Sequence, residues 1–246
     1  PRDFLDHEID LVLKAGVEVK TGRALGKDFS LDDLEKQGYR SVFVATGAQL
    51  PKKIPLDGGD AAGVLYGIPF LRDVNAGGRP ELGDKVVVIG GGNVATDVAR
   101  SAGRAAPGAE VSLFCLESRK EMPAHDWEIR EAVEEGVILN PSWGPRRIVQ
   151  ENGRVTGIEL VKCTAVFDAD HRFKPTFDES VKKIVPATSV ILAIGQNCDL
   201  SFLESSLKIG RGVVEVDRLT LETSRKGVFA GGDNVLGPSS LVQSVE

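Results

Sequence analysis

The stretch KVVVIGGGNVATDVA, residues 85–99, constrains the fold more than any other part of the chain. Val86–Ile89 is a short, wholly apolar run, as expected of a strand buried on both faces of a parallel sheet. Gly90, Gly92 and Ala95 then fit G-x-G-x-x-G/A. Behind them Val94, Ala95, Val98, Ala99 and Ala102 recur at helical spacing. Strand, glycine turn and helix stand in the order a dinucleotide-binding unit requires. In that reading Gly90 permits the sharp turn, Gly92 lets a pyrophosphate approach the backbone, and Ala95 lets helix and strand pack closely. Gly91, Asn93 and Val94 complete the loop, and the helix N-terminus offers N–H groups and partial positive charge to the phosphates. The competing reading is a glycine turn that serves only strand–helix packing.

A length of 246 residues allows one large domain or two small ones. An apolar fraction of 41% is enough for a core, and a net charge of −6 with both signs interspersed does not suggest a nucleic-acid partner. No apolar run has the length of a membrane span, and no signal peptide opens the chain. Cys115, Cys163 and Cys198 lack CxxC spacing, which argues against a redox disulfide, an iron–sulfur site or a zinc site among these residues. A reducing cytoplasm fits that usage. Cys115 sits in an apolar run and reads as core. Cys198 follows a loop, where a reactive thiol competes with an inert one.

Upstream, the pattern predicts a helix from Pro1 with Leu5, Ile9, Val12 and Leu13 on one face, ended by Gly16. Val17–Lys20 reads as a strand. Ser30 caps a second helix, with Asp33 in the capping-box position and Gly38 as its stop. Ser41–Thr46 reads as a strand running into Gly47. Residues 48–80, rich in Gly and Pro, read as a connection interrupted by the apolar segment Val64–Leu71, with a boundary near Gly83.

Downstream, Glu110–Leu116 is the second strand of the unit. Glu117 stands at its end, about twenty residues beyond the glycines, where an acid bonds the ribose 2′-OH of NAD and repels a 2′-phosphate. Ser118, Arg119 and Lys120 follow, and the two cations offer a 2′-phosphate a place. The ribose-acid rule favours NAD over NADP, and a solvated strand-end acid is the plain alternative for Glu117. Asp126–Glu135 is a helix and Val137–Leu139 a third strand. His125, beside Pro123, reads as a capping or surface residue before it reads as a catalyst, although an imidazole permits proton chemistry. Asn152–Gly153 between Arg147–Gln150 and Arg154–Cys163 signals a hairpin. Asp168–Ser180 reads as a polar loop with His171 exposed, followed by a strand at Val181–Val185 closed by Pro186. Ser189–Ile194 is a strand ending at Gly195–Gln196. Val213–Val216 and Gly227–Ala230 are strands, the second running into Gly231, Gly232 and Asp233. Glu246 falls inside the start of a helix, so the expectation is a longer natural protein.

Taken together, VVVIGGGNVATDVAR (Val86–Arg100), Met122–Pro123, REAVEEGV (Arg130–Val137), ILAIGQ (Ile191–Gln196) and VFAGGDNVLGPS (Val228–Ser239) are specific as an ordered set. The chain resembles the two-dinucleotide-domain flavoproteins related to the small (beta) subunit of glutamate synthase, over nearly its whole length. The resemblance implies a Rossmann-like NAD(P) domain with an antiparallel ribbon, residues 83–195, inserted in an FAD domain. Residues 1–82 and 196–246 would be incomplete parts of that FAD domain. It implies that Thr46–Gly47 and Gly195–Gln196 lie at the seams near the flavin, and that Asp233, after Gly232, binds the ribitol or pyrophosphate side of FAD. A helix N-cap is the plain alternative for Asp233. The family's FAD glycine fingerprint is absent from these residues, so weak or no flavin binding by this segment is expected. Where glutamate synthase small subunits carry two arginines suited to NADP, this chain has Leu116–Glu117, which again favours NAD.

The resemblance further implies hydride transfer between NAD(P)H and FAD, with electrons leaving for iron–sulfur clusters on another domain or subunit. The cofactors carry that chemistry, so no catalytic acid or base is named. The contrasting reading is a non-catalytic nucleotide-binding or scaffolding module. An alcohol or hydroxy-acid dehydrogenase would need a positioned His, a Tyr–Lys pair or a zinc site, and none is evident.

Overall fold

A computed structural model describes residues 2–203 and 205–245. The predicted helix start at Pro1 and the helix continuation at Glu246 lie outside the described residues. The elements run α1 (Arg2–Lys14), α2 (Leu31–Lys36), β1 (Val42–Val44), β2 (Leu50–Pro51), β3 (Val64–Tyr66), α3 (Gly67–Asn75), β4 (Lys85–Ile89), α4 (Asn93–Ala105) and β5 (Glu110–Phe114). They continue with α5 (Asp126–Glu134), β6 (Ile138–Asn140), β7 (Trp143–Glu151), β8 (Arg154–Phe167), β9 (Phe173–Pro186), β10 (Ser189–Leu192) and β11 (Gln196–Asn197). The last are β12 (Ile209–Gly210), β13 (Val213–Val214), β14 (Val228–Ala230), α6 (Asp233–Leu236) and α7 (Leu241–Val245). Two compact units result: Pro1–Gly47 with Asp199–Glu246, and Ala48–Cys198.

The Ala48–Cys198 unit has three layers. Its middle is a parallel sheet in the order β3-β10-β4-β5-β6. Side chains alternate across a strand, and β4 shows the consequence. Val86 and Val88 join the cluster formed with Phe70 of α3, Val98 and Ala99 of α4, and Ile129 of α5. Val87 and Ile89 join the opposite cluster with Ile148, Ile158 and Leu160 of the β7-β8-β9 ribbon. Both faces are covered, so the strand is apolar throughout. The fingerprint helix buries Ala95, Val98, Ala99 and Ala102, the stripe its spacing foretold.

Two expectations change in this unit. The stretch within 48–80 does not merely connect: β3 pairs with β10, and α3 follows it. Nor is Asp168–Ser180 a loop, because β9 begins at Phe173 and pairs with β8. The turn closes within Asp168–Arg172, where the Asp168 carboxylate accepts from the N–H groups of Asp170 and Arg172. The polar run misled because most of β9 is solvent-facing, and an open strand face can carry charge without losing its ladder. The Asn152–Gly153 hairpin forms as read, with φ of 50° and 76°, the double left-handed turn that suits strand twist.

In the other unit β1 and β14 pair in parallel. Leu31, Val44, Leu203, Val214, Val228 and Ala230 are buried. Ser30 caps α2 reciprocally: its hydroxyl accepts from Asp33 N–H at 3.2 Å, and Asp33 accepts from Ser30 N–H at 2.9 Å. Val17–Lys20 is not a strand. Among the described residues no neighbouring strand supplies its backbone with partners, and Val17 and Val19 are exposed.

Candidate dinucleotide site

The glycine loop lies at the C-terminal end of β4, the edge of a parallel sheet where ligands bind. Gly90 N–H donates to Phe114 C=O at 2.9 Å, tying the loop to β5. Its φ is 149°, and a Cβ there would run into the Ala193 carbonyl oxygen and lie 3.0 Å from the Ala95 Cβ. Geometry alone therefore demands glycine at this turn. Gly92 is the opposite case. Its φ of −93° suits any residue, and the nearest atom to a Cβ is Pro123 Cγ at 4.0 Å. Nothing in the protein requires glycine there. The open space in front of it, at the N-terminus of the 13-residue α4, is what an approaching diphosphate needs.

The rim of this space is built from the segment after β5. Glu117 Oε2 would sit 2.5 Å from a Cβ at Gly91, so the half-buried carboxylate reaches over the loop. Its backbone is fixed by Ser142 N–H, which donates to Glu117 C=O at 2.8 Å. Ala124 N–H donates to Gly91 C=O at 3.1 Å, and His125 N–H donates to Asn93 Oδ1 at 2.8 Å. Met122–Ala124 thus clamps the loop from outside. Asn93 is a fastening residue, a role the motif alone did not assign. His125 precedes α5 without a side-chain cap bond and stacks on the exposed Trp127 at 4.2 Å.

Of the segment offered to a 2′-phosphate, Ser118 and Arg119 are already engaged by acids. Ser118 donates its N–H and hydroxyl to Glu121 Oε2, which holds that carboxyl below its ordinary range. Arg119 pairs with Asp126 at 3.1 Å, and Lys120 is exposed. Cys115, behind Glu117, is buried, and burial pushes its thiol up to about 12.

Gly195, with φ of 116°, follows β10, and its carbonyl accepts from Lys52 N–H at 3.0 Å. Gln196 pairs with Pro51 in the small β11–β2 ladder. In the other unit Thr46 and Gly47 meet the segment after β14. Asn234 is fully buried there, and its surroundings orient the amide. Its oxygen accepts from Thr46 N–H at 2.8 Å, and its nitrogen donates to Gly47 C=O at 3.3 Å. Asn234 was not singled out from sequence, since a polar residue beside a Gly-Gly-Asp turn reads as surface. Asp233 is the first residue of α6, not its cap, and Oδ1 accepts from the N–H and hydroxyl of Ser239 at 3.1 and 3.0 Å. A cleft of about 1060 Å³ opens beside Phe43, Gly231, Gly232 and Ser239.

Residues 3–246 match the family model described as pyridine nucleotide-disulphide oxidoreductase. The chain belongs to this family. It is 41% identical over 250 residues to the NADP(+)-dependent formate dehydrogenase subunit beta of Moorella thermoacetica, covering all of this chain and 35% of that protein. It is 38% identical to the NADPH-Fe(3+) oxidoreductase subunit beta of Geobacter sulfurreducens, of which it covers 40%. It is 32% identical to the glutamate synthase [NADPH] small chain of Azospirillum brasilense, covering 99% of this chain and 54% of that one. The chain thus spans between about a third and a little over half of the length of these relatives. Among solved structures, FprA of Mycobacterium tuberculosis in complex with NADPH superposes with a TM-score of 0.74 at 16% identity, covering 89% of this chain and 63% of that one. The T. acidophilum thioredoxin reductase gives 0.63 at 21%, covering 83% and 60%. This member of the family therefore shares the α/β fold of two-dinucleotide flavoproteins. Among the described residues, no helix is long and apolar enough to cross a membrane.

Proposed function

We propose that the Ala48–Cys198 unit is the pyridine-nucleotide-binding part of a longer flavoprotein oxidoreductase. One observation carries the reading: open space before Gly92, at the mouth of α4, with Glu117 reaching over the adjacent Gly91. A nicotinamide dinucleotide held there would supply hydride chemistry with FAD, and the relatives' names describe subunits of redox enzymes. Gly90–Ala95 would hold the pyrophosphate through backbone N–H groups, and Glu117 would accept from the adenosine ribose. Met122–Ala124 and Asn93 keep the loop in shape. Thr46–Gly47, Gly232 and Asp233, gathered around the buried Asn234, would face FAD, with the neighbouring cleft as the room available to it. Electrons would pass on to an iron–sulfur domain or partner subunit of the parent protein.

The carboxylate of Glu117, with Glu121 and Asp126 engaging Ser118 and Arg119, favours NADH at this rim. The NADP in the relatives' names favours NADPH. Parallel titration of the chain with NADH and NADPH decides between them. Tighter binding of NADH is the expected result, NADPH preference overturns the role of Glu117, and no binding of either overturns the site. Adding FAD and a dye acceptor to the longer protein separates an oxidoreductase, which reduces the dye from NAD(P)H, from a binding module, which does not.

A further inference from the structure

Two lysines of the ribbon meet over one tryptophan at the C-terminal end of β5. Lys183 Nζ lies 4.2 Å from the centre of the Trp143 ring and 4.7 Å from that of Phe114. Lys162 Nζ lies 5.2 Å from the same Trp143 ring. Strand register brings them there, Lys162 opposite Trp143 and Lys183 opposite Leu160. Both lysines are half-buried.

Other cations of the ribbon do have carboxylate partners. Arg147 pairs with Glu159 at 2.6 Å and Lys182 with Glu179 at 2.9 Å. Among the described residues, neither Lys162 nor Lys183 has a carboxylate within 4.0 Å. Asp178 stands in register with Lys162, but its Oδ1 accepts from the Ser180 N–H and hydroxyl at 3.0 and 2.6 Å. Burial, then the charge of Lys162, pushes the Lys183 ammonium below its ordinary pKa. Ring faces offset part of the cost of holding two like charges half out of water. An anion bound at these ammoniums would offset more.

The cluster is also placed against the candidate nucleotide rim. Phe114 is the last residue of β5, Trp143 N–H donates to Cys115 C=O at 2.8 Å, and Ser142 N–H donates to Glu117 C=O at 2.8 Å. Trp143, under the lysines, is therefore tied through its backbone to the short segment that leads to Glu117, whose carboxylate reaches over Gly91. In the nucleotide reading above Glu117 serves a ribose hydroxyl and repels phosphate, whereas the lysine pair is a separate cationic point.

We infer that Lys162 and Lys183, seated on Trp143, form an anion site for a phosphate monoester or inorganic phosphate beside the adenosine end of the nucleotide crevice. The adenosine placement rests on the nucleotide reading above, while the anion site stands on the lysine geometry. Two sources share that chemistry, the 2′-phosphate of NADPH and free phosphate. The test is competitive acetylation of the whole chain, read by mass spectrometry at each lysine, with inorganic phosphate, NADPH or NADH at matched ionic strength. Lys182, paired with Glu179, is the internal reference.

Protection of Lys162 and Lys183 by phosphate, with Lys182 unchanged, is the expected result. Added protection by NADPH but not NADH identifies the 2′-phosphate as the source, and protection by phosphate alone identifies free phosphate. In calorimetry, Lys162→Met and Lys183→Met keep an apolar stem on the indole and should weaken the protecting ligand about tenfold, the loss of one charge-assisted contact. Lys183→Arg should retain most of the binding. If neither phosphate nor NADPH slows acetylation at the pair, the inference is overturned and the lysines only pack over Trp143. A chain that binds neither NADH nor NADPH defeats the nucleotide reading, and the phosphate arm still decides the lysine pair.

Discussion

Gly90 and Gly92 are two residues apart and answer to different demands. Gly90 carries a left-handed φ and has no room for a Cβ, whereas Gly92 has an ordinary φ and room in front of it. Gly90→Ala is therefore expected to destabilise the unit by about 2–4 kcal/mol, the sum of backbone strain and a steric clash. Urea unfolding measures it. Gly92→Ala should leave stability within about 0.5 kcal/mol yet weaken NADH binding by about tenfold or more, because the added methyl enters the space proposed for the diphosphate. Equal effects of the two changes on stability would contradict this division. The thiols make a second contrast. Burial holds Cys115 protonated, with a pKa of about 12, and also raises Cys163, while Cys198 is half-exposed. Because the thiolate is the nucleophile, alkylation at pH 8 should modify Cys198 well before Cys163 or Cys115. Early labelling of Cys115 would refute its closed environment.

The capping box of α2 and the hairpin of the ribbon show how local chemistry sets an element. Ser30 donates its N–H and hydroxyl to Asp33, and those bonds hold the Asp33 carboxyl below its ordinary value. A depressed folded pKa means that its stabilisation is present above the unfolded value and is lost as pH falls through the folded one. Ser30→Ala should move the Asp33 titration back up toward the ordinary range, which carboxylate NMR reads directly. In the ribbon, Asn152 and Gly153 both adopt left-handed φ. Gly153→Val puts a β-branched residue in that region and should cost about 1–2 kcal/mol in thermal unfolding. The register of β7 with β8 depends on this turn, and the same register places Trp143 opposite Lys162.

The two units differ in how completely their elements are covered. In Ala48–Cys198, helices and ribbon enclose both faces of the sheet, and Val86–Ile89 are almost wholly inaccessible. In the other unit, α1 carries Phe4 and Leu5 at 70% and 62% exposure, with Ile9 and Val12 also open to solvent. Local opening follows burial. Limited proteolysis should therefore cut first within residues 2–20 and leave a resistant core around 85–198. A first cut inside the five-stranded sheet would contradict the three-layer account.

The glycine stretch was readable because its requirements are local. A turn that tolerates no Cβ, a strand with two apolar faces and a helix with one small-residue stripe each write a short-range pattern. Ser30–Asp33 and Asn152–Gly153 were readable for the same reason, since their partners lie within three residues or across one turn. Strand β3 was hidden in a Gly- and Pro-rich stretch because its identity comes from pairing with β10, more than a hundred residues away. Residues 173–180 looked like loop because an exposed strand face may be polar, and only β8 makes it a strand. Val17–Lys20 looked like a strand and is not one, for want of a ladder partner among the described residues. Asn234 against Thr46–Gly47, Glu117 over Gly91, and two lysines over Trp143 are likewise meetings of distant segments. Short-range sterics and hydrogen bonds are written in neighbouring letters. Desolvation and charge pairing depend on which parts of the chain end up facing each other, and packing settles that.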